Sequence, residues 1–238
     1  DPYLANSYSI SEDGLEWTYT LNEGLTCADG EPLTAEDVVY SFERGSDPAN
    51  GFTGNTAGFV YPSLGYVGIR AEDDLNVTLT FEEPQNVALR LGLTSEVFIH
   101  CKDSYEAMTL EEAARNPVAS GAYSFGEWVT GDYMTMNRRE DFTLRETYIP
   151  EIVWRVFPEA STATAELVTG NLDIIKGIAA DQVEAINASG VAEVLAYPGT
   201  ARFYIGYQLN PDADFRNTTA GEALMNTDVR VALQYAVD

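Results

Sequence analysis

Basic residues are scarce in this 238-residue chain: thirteen stand against 38 acids, for a formal net charge of −25, and only Lys102 and Lys176 are lysines. A surface so poor in cations lacks the footprint with which proteins grip a phosphate backbone, which excludes nucleic acid as a partner. It also lacks a basic patch for an anionic leaflet. Imidazole is rarer still. His100 is the sole histidine, so a Ser-His-Asp or Cys-His site would have to run through it. No G-x-S-x-G elbow, HExxH pair, Walker loop or CxxC pair occurs, and nothing points to a cofactor or a resident metal. No stretch approaches the roughly 18 consecutive apolar residues of a membrane span. The chain opens at Asp1-Pro2-Tyr3-Leu4 without the pattern of a secretory leader.

What remains is the composition of a packed protein. Hydrophobic residues make up 45% and aromatics 11%, enough to build a core and to argue against disorder. The acids are scattered rather than blocked. That pattern reads as a solvated surface that keeps an exported protein soluble, with attraction of cationic ligands as the alternative. Cys27 and Cys101 each sit near an expected strand end. A single bridge between them would close a long loop and contribute about 4 kcal/mol; two unrelated buried thiols are the other reading.

Local patterns place the elements. Trp17, Tyr19 and Leu21 alternate with polar neighbours, as do Val77, Leu79 and Phe81, which predicts two half-buried strands. Between them, Asp29-Gly30 predicts a turn, and Pro32 ends extended structure. Thr34 and Asp37 have capping-box spacing ahead of an amphipathic helix carrying Ala35, Val38, Val39 and Phe42 on one face. Residues 45–68 read as a loop with Phe52, Phe59, Tyr61 and Tyr66 pinning it. A short helix is expected at 87–91, a strand at 97–99, and a small helix framed by Thr109 and Glu112. A strand from Tyr123 to Trp128, a Gly131-Asp132 turn and a return strand 133–138 follow. Residues 152–157 read as a strand, Ser161 or Thr162 as the cap of a helix stopped by Gly170, and 171–175 as a second strand. A crossover of that length predicts a parallel pair. Asp181 and Glu184 open a helix ending near Gly190, strands are expected at 191–197 and 202–209, and a last helical face runs from Val229 to Val237.

Four runs carry a resemblance. They are Asp29-Gly30 with Pro32-Leu33-Thr34-Ala35-Glu36-Asp37-Val38-Val39 and Ser41-Phe42-Glu43-Arg44; Asn116-Pro117-Val118-Ala119-Ser120-Gly121-Ala122-Tyr123 through Trp128; Leu167, Gly170 and Asp173; and Asp228-Val229-Arg230 through Ala236 and Asp238. In this order they resemble extracytoplasmic solute-binding proteins of the peptide/nickel class, family 5. Arg139-Glu140-Asp141-Phe142 corresponds to the run that follows the second of these in the family. Glycine is more usual where Ala119 stands, and proline where Ala122 stands.

The resemblance implies an α/β fold of the type II periplasmic-binding-protein kind, with mixed sheets and flanking helices. It implies a smaller strand-helix subdomain at 1–115, part of the first ligand-binding lobe at 116–227, and the start of the helix into a second lobe at 228–238. The chain then reads as about half of a member, ending before that lobe. The implied function is capture of oligopeptides or dipeptides by two-lobe closure and delivery to the transmembrane subunits of an ABC permease, without catalysis. Nickel, an oligosaccharide or another small solute on the same scaffold is the alternative, and a hydrolase using His100 or a carboxylate pair is the remaining one. The resemblance places Tyr204, Tyr207 and Asn210 facing ligand, with Gly121 and Tyr123 nearby; core packing or strand-end capping is the bland reading of each. The Asp212-Ala213-Asp214 cluster near Asn210 reads as solvated turn acids rather than a cation loop. A monomer in the periplasm, or lipid-anchored outside the cell membrane, is expected.

Overall fold

The computed structural model describes residues 3–50, 65–84, 98–197, 206–207, 209–210 and 217–236. It divides into two compact units, Asp1–Ala160 and Ser161–Asp238.

The first unit is built on two antiparallel sheets. Strands β1 (Ala5–Ile10), β2 (Glu16–Leu21), β3 (Tyr66–Ala71) and β4 (Asn76–Phe81) form a four-stranded sheet in the order β1-β2-β4-β3. The register pairs Trp17 with Leu79 and Tyr19 with Val77, so the alternating apolar residues of β2 and β4 share one face. Helix α1 (Ala35–Ser46) closes that face with Val38 and Phe42. The resulting core holds Trp17, Leu21, Val77, Leu79 and Phe81 at 6% exposure or less. Burying a side chain of this size contributes about 1.5–3 kcal/mol, which explains why alternation and helical period agree here. The opposite face is polar: the Thr18 and Thr78 hydroxyls meet at 2.8 Å, and Thr20 donates to Asn76.

Short helices α2 (Lys102–Glu106) and α3 (Leu110–Arg115) follow, the latter with the expected Thr109–Glu112 capping box. Strands β5 (Tyr123–Val129), β6 (Tyr133–Arg138) and β7 (Glu151–Arg155) then form a meander in the order β5-β6-β7. The β5–β6 register slips between Phe125 and Trp128. A Cβ on Gly126 would lie 2.2 Å from the Thr135 hydroxyl oxygen, so the backbone approach at this bulge requires glycine.

The second unit holds α4 (Ala160–Val168), α5 (Val183–Ser189), α6 (Thr219–Met225) and α7 (Thr227–Gln234). Gly170 ends the turn after α4 at φ 79°, and Gly190 caps α5 at φ 67°, both in the left-handed region that glycine tolerates.

Several expectations differ from this structure. Tyr66 belongs to β3 and not to a loop, because its strand pairs with β4 through Ile69–Leu79 and Ala71–Val77. Phe98 and Ile99 are not in a strand; pairing there is a single bridge between His100 and Ala119. α4 starts at Ala160, which puts Ser161 and Thr162 inside its first turn. Residues 171–175 and 191–197 carry no strand, and both described sheets are antiparallel, so the parallel pair expected of a crossover is absent among the described residues. The helix expected at 87–91, Phe52, Phe59 and Tyr61, and the Arg202–Ile205 part of the last expected strand lie outside the described residues.

Candidate functional site

Of the anticipated ligand-facing residues, Gly121 and Tyr123 lie in one segment of the first unit, between Pro117 and the start of β5. The segment is tied down residue by residue. The Ala119 carbonyl accepts from Ala28 N–H at 2.9 Å, and Ser120 Oγ donates to the Ile99 carbonyl at 2.8 Å. Arg139 takes the next two carbonyls: its guanidinium donates to Gly121 O at 3.1 Å and its backbone N–H to Ala122 O at 2.9 Å. Tyr123 begins β5 opposite Arg138 and donates its hydroxyl to the Ile149 carbonyl at 3.0 Å. A Cβ on Gly121 would meet nothing within 4 Å, so packing does not demand glycine there. Ala119 and Ala122, where the resemblance favours glycine and proline, keep ordinary negative φ.

The Arg139 side chain is 3% exposed. Besides Gly121, its guanidinium reaches the Thr26 carbonyl at 2.9 Å, the Thr26 hydroxyl at 2.7 Å and the Cys27 carbonyl at 3.0 Å. The half-exposed carboxylate of Asp141 balances the charge at 2.6 and 3.1 Å. The Arg139 hydrogen bonds and a second one from Thr26 hold the Asp141 carboxyl well below the usual carboxylate range. Sequence reasoning matched Arg139 to the family's run but gave it no role. The signal available was the second arginine of the Arg138-Arg139 pair, one residue past the end of β6.

A disulfide stands beside this node. Cys27 and Cys101 are joined across a separation of 74 residues, with Cα atoms 6.1 Å apart, so the bridge is formed and the reading of two separate thiols falls. His100, its neighbour, packs its ring 4.5 Å from that of Tyr105. Burial, and next the positive charge of Arg44, push the imidazole down to about 4. Cys101 is thus no nucleophile for a Cys–His site.

In the second unit Tyr207 is half-buried, and its hydroxyl donates to the Arg230 carbonyl at 3.4 Å. The Arg230 guanidinium in turn donates to the Leu224 and Met225 carbonyls at 2.6 and 3.1 Å, closing the C-terminus of α6. Asn210 is exposed. Tyr204 and the Asp212 and Asp214 pair lie outside the described residues. Among the described residues no three His, Cys, Asp or Glu side chains converge as a metal site would need.

One groove was not foreseen. It has a volume of about 600 Å³ and is lined by α1 residues Tyr40, Glu43 and Arg44 together with Tyr105, Met108 and Leu110. No periodicity in the sequence announces it, because its walls come from three short helices and a cap.

The model of the bacterial extracellular solute-binding proteins, family 5 Middle, matches residues 1–238. The chain is 25% identical over 243 residues to the probable D,D-dipeptide-binding periplasmic protein DdpA of Escherichia coli (strain K12), covering 99% of this chain and 43% of that one. Among solved structures it is similar to the ABC transporter substrate binding protein CtaP of Listeria monocytogenes, at TM-score 0.68 and 28% identity over 79% of this chain and 38% of that one. It is also similar to the ABC transporter-associated periplasmic binding protein DppA of Helicobacter pylori, solved with the peptide STSA, at TM-score 0.65 and 25% identity over 79% of this chain and 40% of that one. The fold is that of type II periplasmic binding proteins. The chain spans less than half the length of the curated relatives it matches.

Proposed function

Because the chain belongs to the bacterial extracellular solute-binding proteins, family 5, we propose that it is part of the solute-capturing subunit of an ABC importer that takes up short peptides. Two lobes close on the ligand, and it is handed unchanged to the permease. The observation that carries this reading is the family match along residues 1–238. The similarity to DdpA, a probable D,D-dipeptide-binding protein, and to DppA, solved with the peptide STSA, supports peptide as the ligand class. Residues 1–115 act as the smaller subdomain and 116–227 as part of the first lobe, with 228–238 leading into the second. In this reading Gly121, Tyr123, Tyr204, Tyr207 and Asn210 are the residues that contribute to ligand binding.

Placement outside the cytoplasm fits the Cys27–Cys101 bridge, since disulfides persist where the surroundings oxidise. Among the described residues no helix is long and apolar enough to cross a membrane. The protein works as a monomer in this reading.

The test is calorimetry of the full-length protein with di- to pentapeptides and with nickel–histidine, followed by mass spectrometry of the recovered ligand. Peptide binding with the peptide returned intact is the expected result. A cleaved product would overturn the carrier reading, and a response to nickel alone would overturn the peptide assignment.

A further inference from the structure

We propose that Arg139 is a positioning residue: it sets the conformation in which the Ala119–Tyr123 segment meets ligand. The inference rests on the reading of that segment as ligand-facing and deepens it. Gly121 O lies in the peptide plane that leads to Ala122, and Ala122 O in the plane that leads to Tyr123. Arg139 holds the first with its guanidinium and the second with its own N–H. One residue thereby fixes both planes that feed β5.

The same guanidinium anchors those planes to the turn before α1, through two carbonyls and a hydroxyl of Thr26 and Cys27. That turn carries the disulfide. The segment is therefore referred to a covalently fixed point more than ninety positions earlier in the chain, and not only to its immediate neighbours. Nη1 takes Gly121, Nε takes Asp141, and Nη2 shares its hydrogens among Thr26, Cys27 and Asp141, a spread over three nitrogens of one planar group. A lysine ammonium offers three donors from one atom and would leave buried carbonyls unpaired. Asp141 completes the device by supplying the countercharge without entering the segment.

Arg139→Ala and Arg139→Lys in the full-length protein test this beside Asp37→Ala, which weakens α1 elsewhere in the same unit. Hydrogen exchange is followed over residues 119–125 and over β1, β2 and β4, and affinity is measured for the tetrapeptide Ser-Thr-Ser-Ala. Arg139→Ala is expected to speed exchange at 119–125 and weaken peptide binding, each by roughly tenfold, as loss of one or two charged hydrogen bonds implies. The β1–β4 sheet keeps its protection. Millimolar guanidinium ion restores part of both changes, and Arg139→Lys falls between. Asp37→Ala lowers thermal stability and leaves both readouts in place. Unchanged exchange at 119–125, or changes matched by Asp37→Ala, would overturn the proposal. If the unmodified protein ignores the peptide, the peptide reading fails for this probe. The exchange arm then decides alone: local acceleration upholds the clamp and its absence sinks it. Should Arg139→Ala not fold, Arg139→Lys with the same two readouts takes its place.

Discussion

The carboxylate of Asp37 accepts the backbone N–H of Lys102 at 2.8 Å, although 65 residues separate the two. Its other oxygen accepts the N–H and the hydroxyl of Thr34 at 2.7 and 3.1 Å. One buried side chain therefore caps α1 and also satisfies the first amide of α2.

Asp37→Ala leaves these donors without their acceptor, at an expected cost of about 2–3 kcal/mol. Denaturant unfolding checks this. A loss below about 0.5 kcal/mol, the range of an ordinary surface change, would show that water replaces the carboxylate.

The Cys27–Cys101 bridge closes a loop of 74 residues, which the chain-entropy account values at about 4 kcal/mol. Replacing both cysteines by serine should lower the unfolding free energy by that order. Thiol titration of the denatured protein should find no free thiol before reduction and two after. Two thiols before reduction would refute the bridge.

His100 has its pKa pushed from the ordinary 6.5 down to about 4. The unfolded state then binds the proton that the folded state refuses, so stability is complete above about 6.5 and falls as pH drops toward 4. Between pH 6.5 and 5 most carboxylates stay ionised, which leaves the histidine as the titrating group. Thermal melts over that window should decline for the natural protein and flatten in His100→Gln. Identical slopes would place the acid sensitivity elsewhere.

Net charge −25 makes self-repulsion the dominant surface term. Four of the five described ion pairs have both partners at least 28% exposed, and such pairs contribute about 0–1 kcal/mol each. Raising sodium chloride from 0.05 to 1 M, which shortens the screening length to about 3 Å, should therefore raise the melting temperature by several degrees. A fall would mean that the ion pairs outweigh the repulsion.

Local rules sufficed wherever an element could be recognised from its own residues. The Thr34–Asp37 and Thr109–Glu112 caps, the β6 boundaries and the Gly190 stop all follow from side chains within a few positions of one another. The errors fall where a neighbour decides. β3 carries Gly68 and Arg70 among its six residues and is a strand because β4 lies beside it. Residues 191–197 have the composition of a strand, but no partner pairs with them among the described residues. At the candidate site the order of short motifs pointed to Gly121 and Tyr123. Arg139 stayed silent because its acceptors, Thr26 and Cys27, lie more than a hundred positions away.

The two antiparallel sheets of the first unit also differ in how far the chain must travel to make them. Glu127 and Thr135 meet across 8 residues in the meander, while Thr18 and Thr78 meet across 60 in the larger sheet. Closing the longer loop costs more chain entropy before any contact repays it, so the meander should assemble first and the larger sheet later. Pulse-labelled refolding would see amides of β5 and β6 protected ahead of those of β2 and β4; the reverse order would show that the collapse of α1 onto its strands leads.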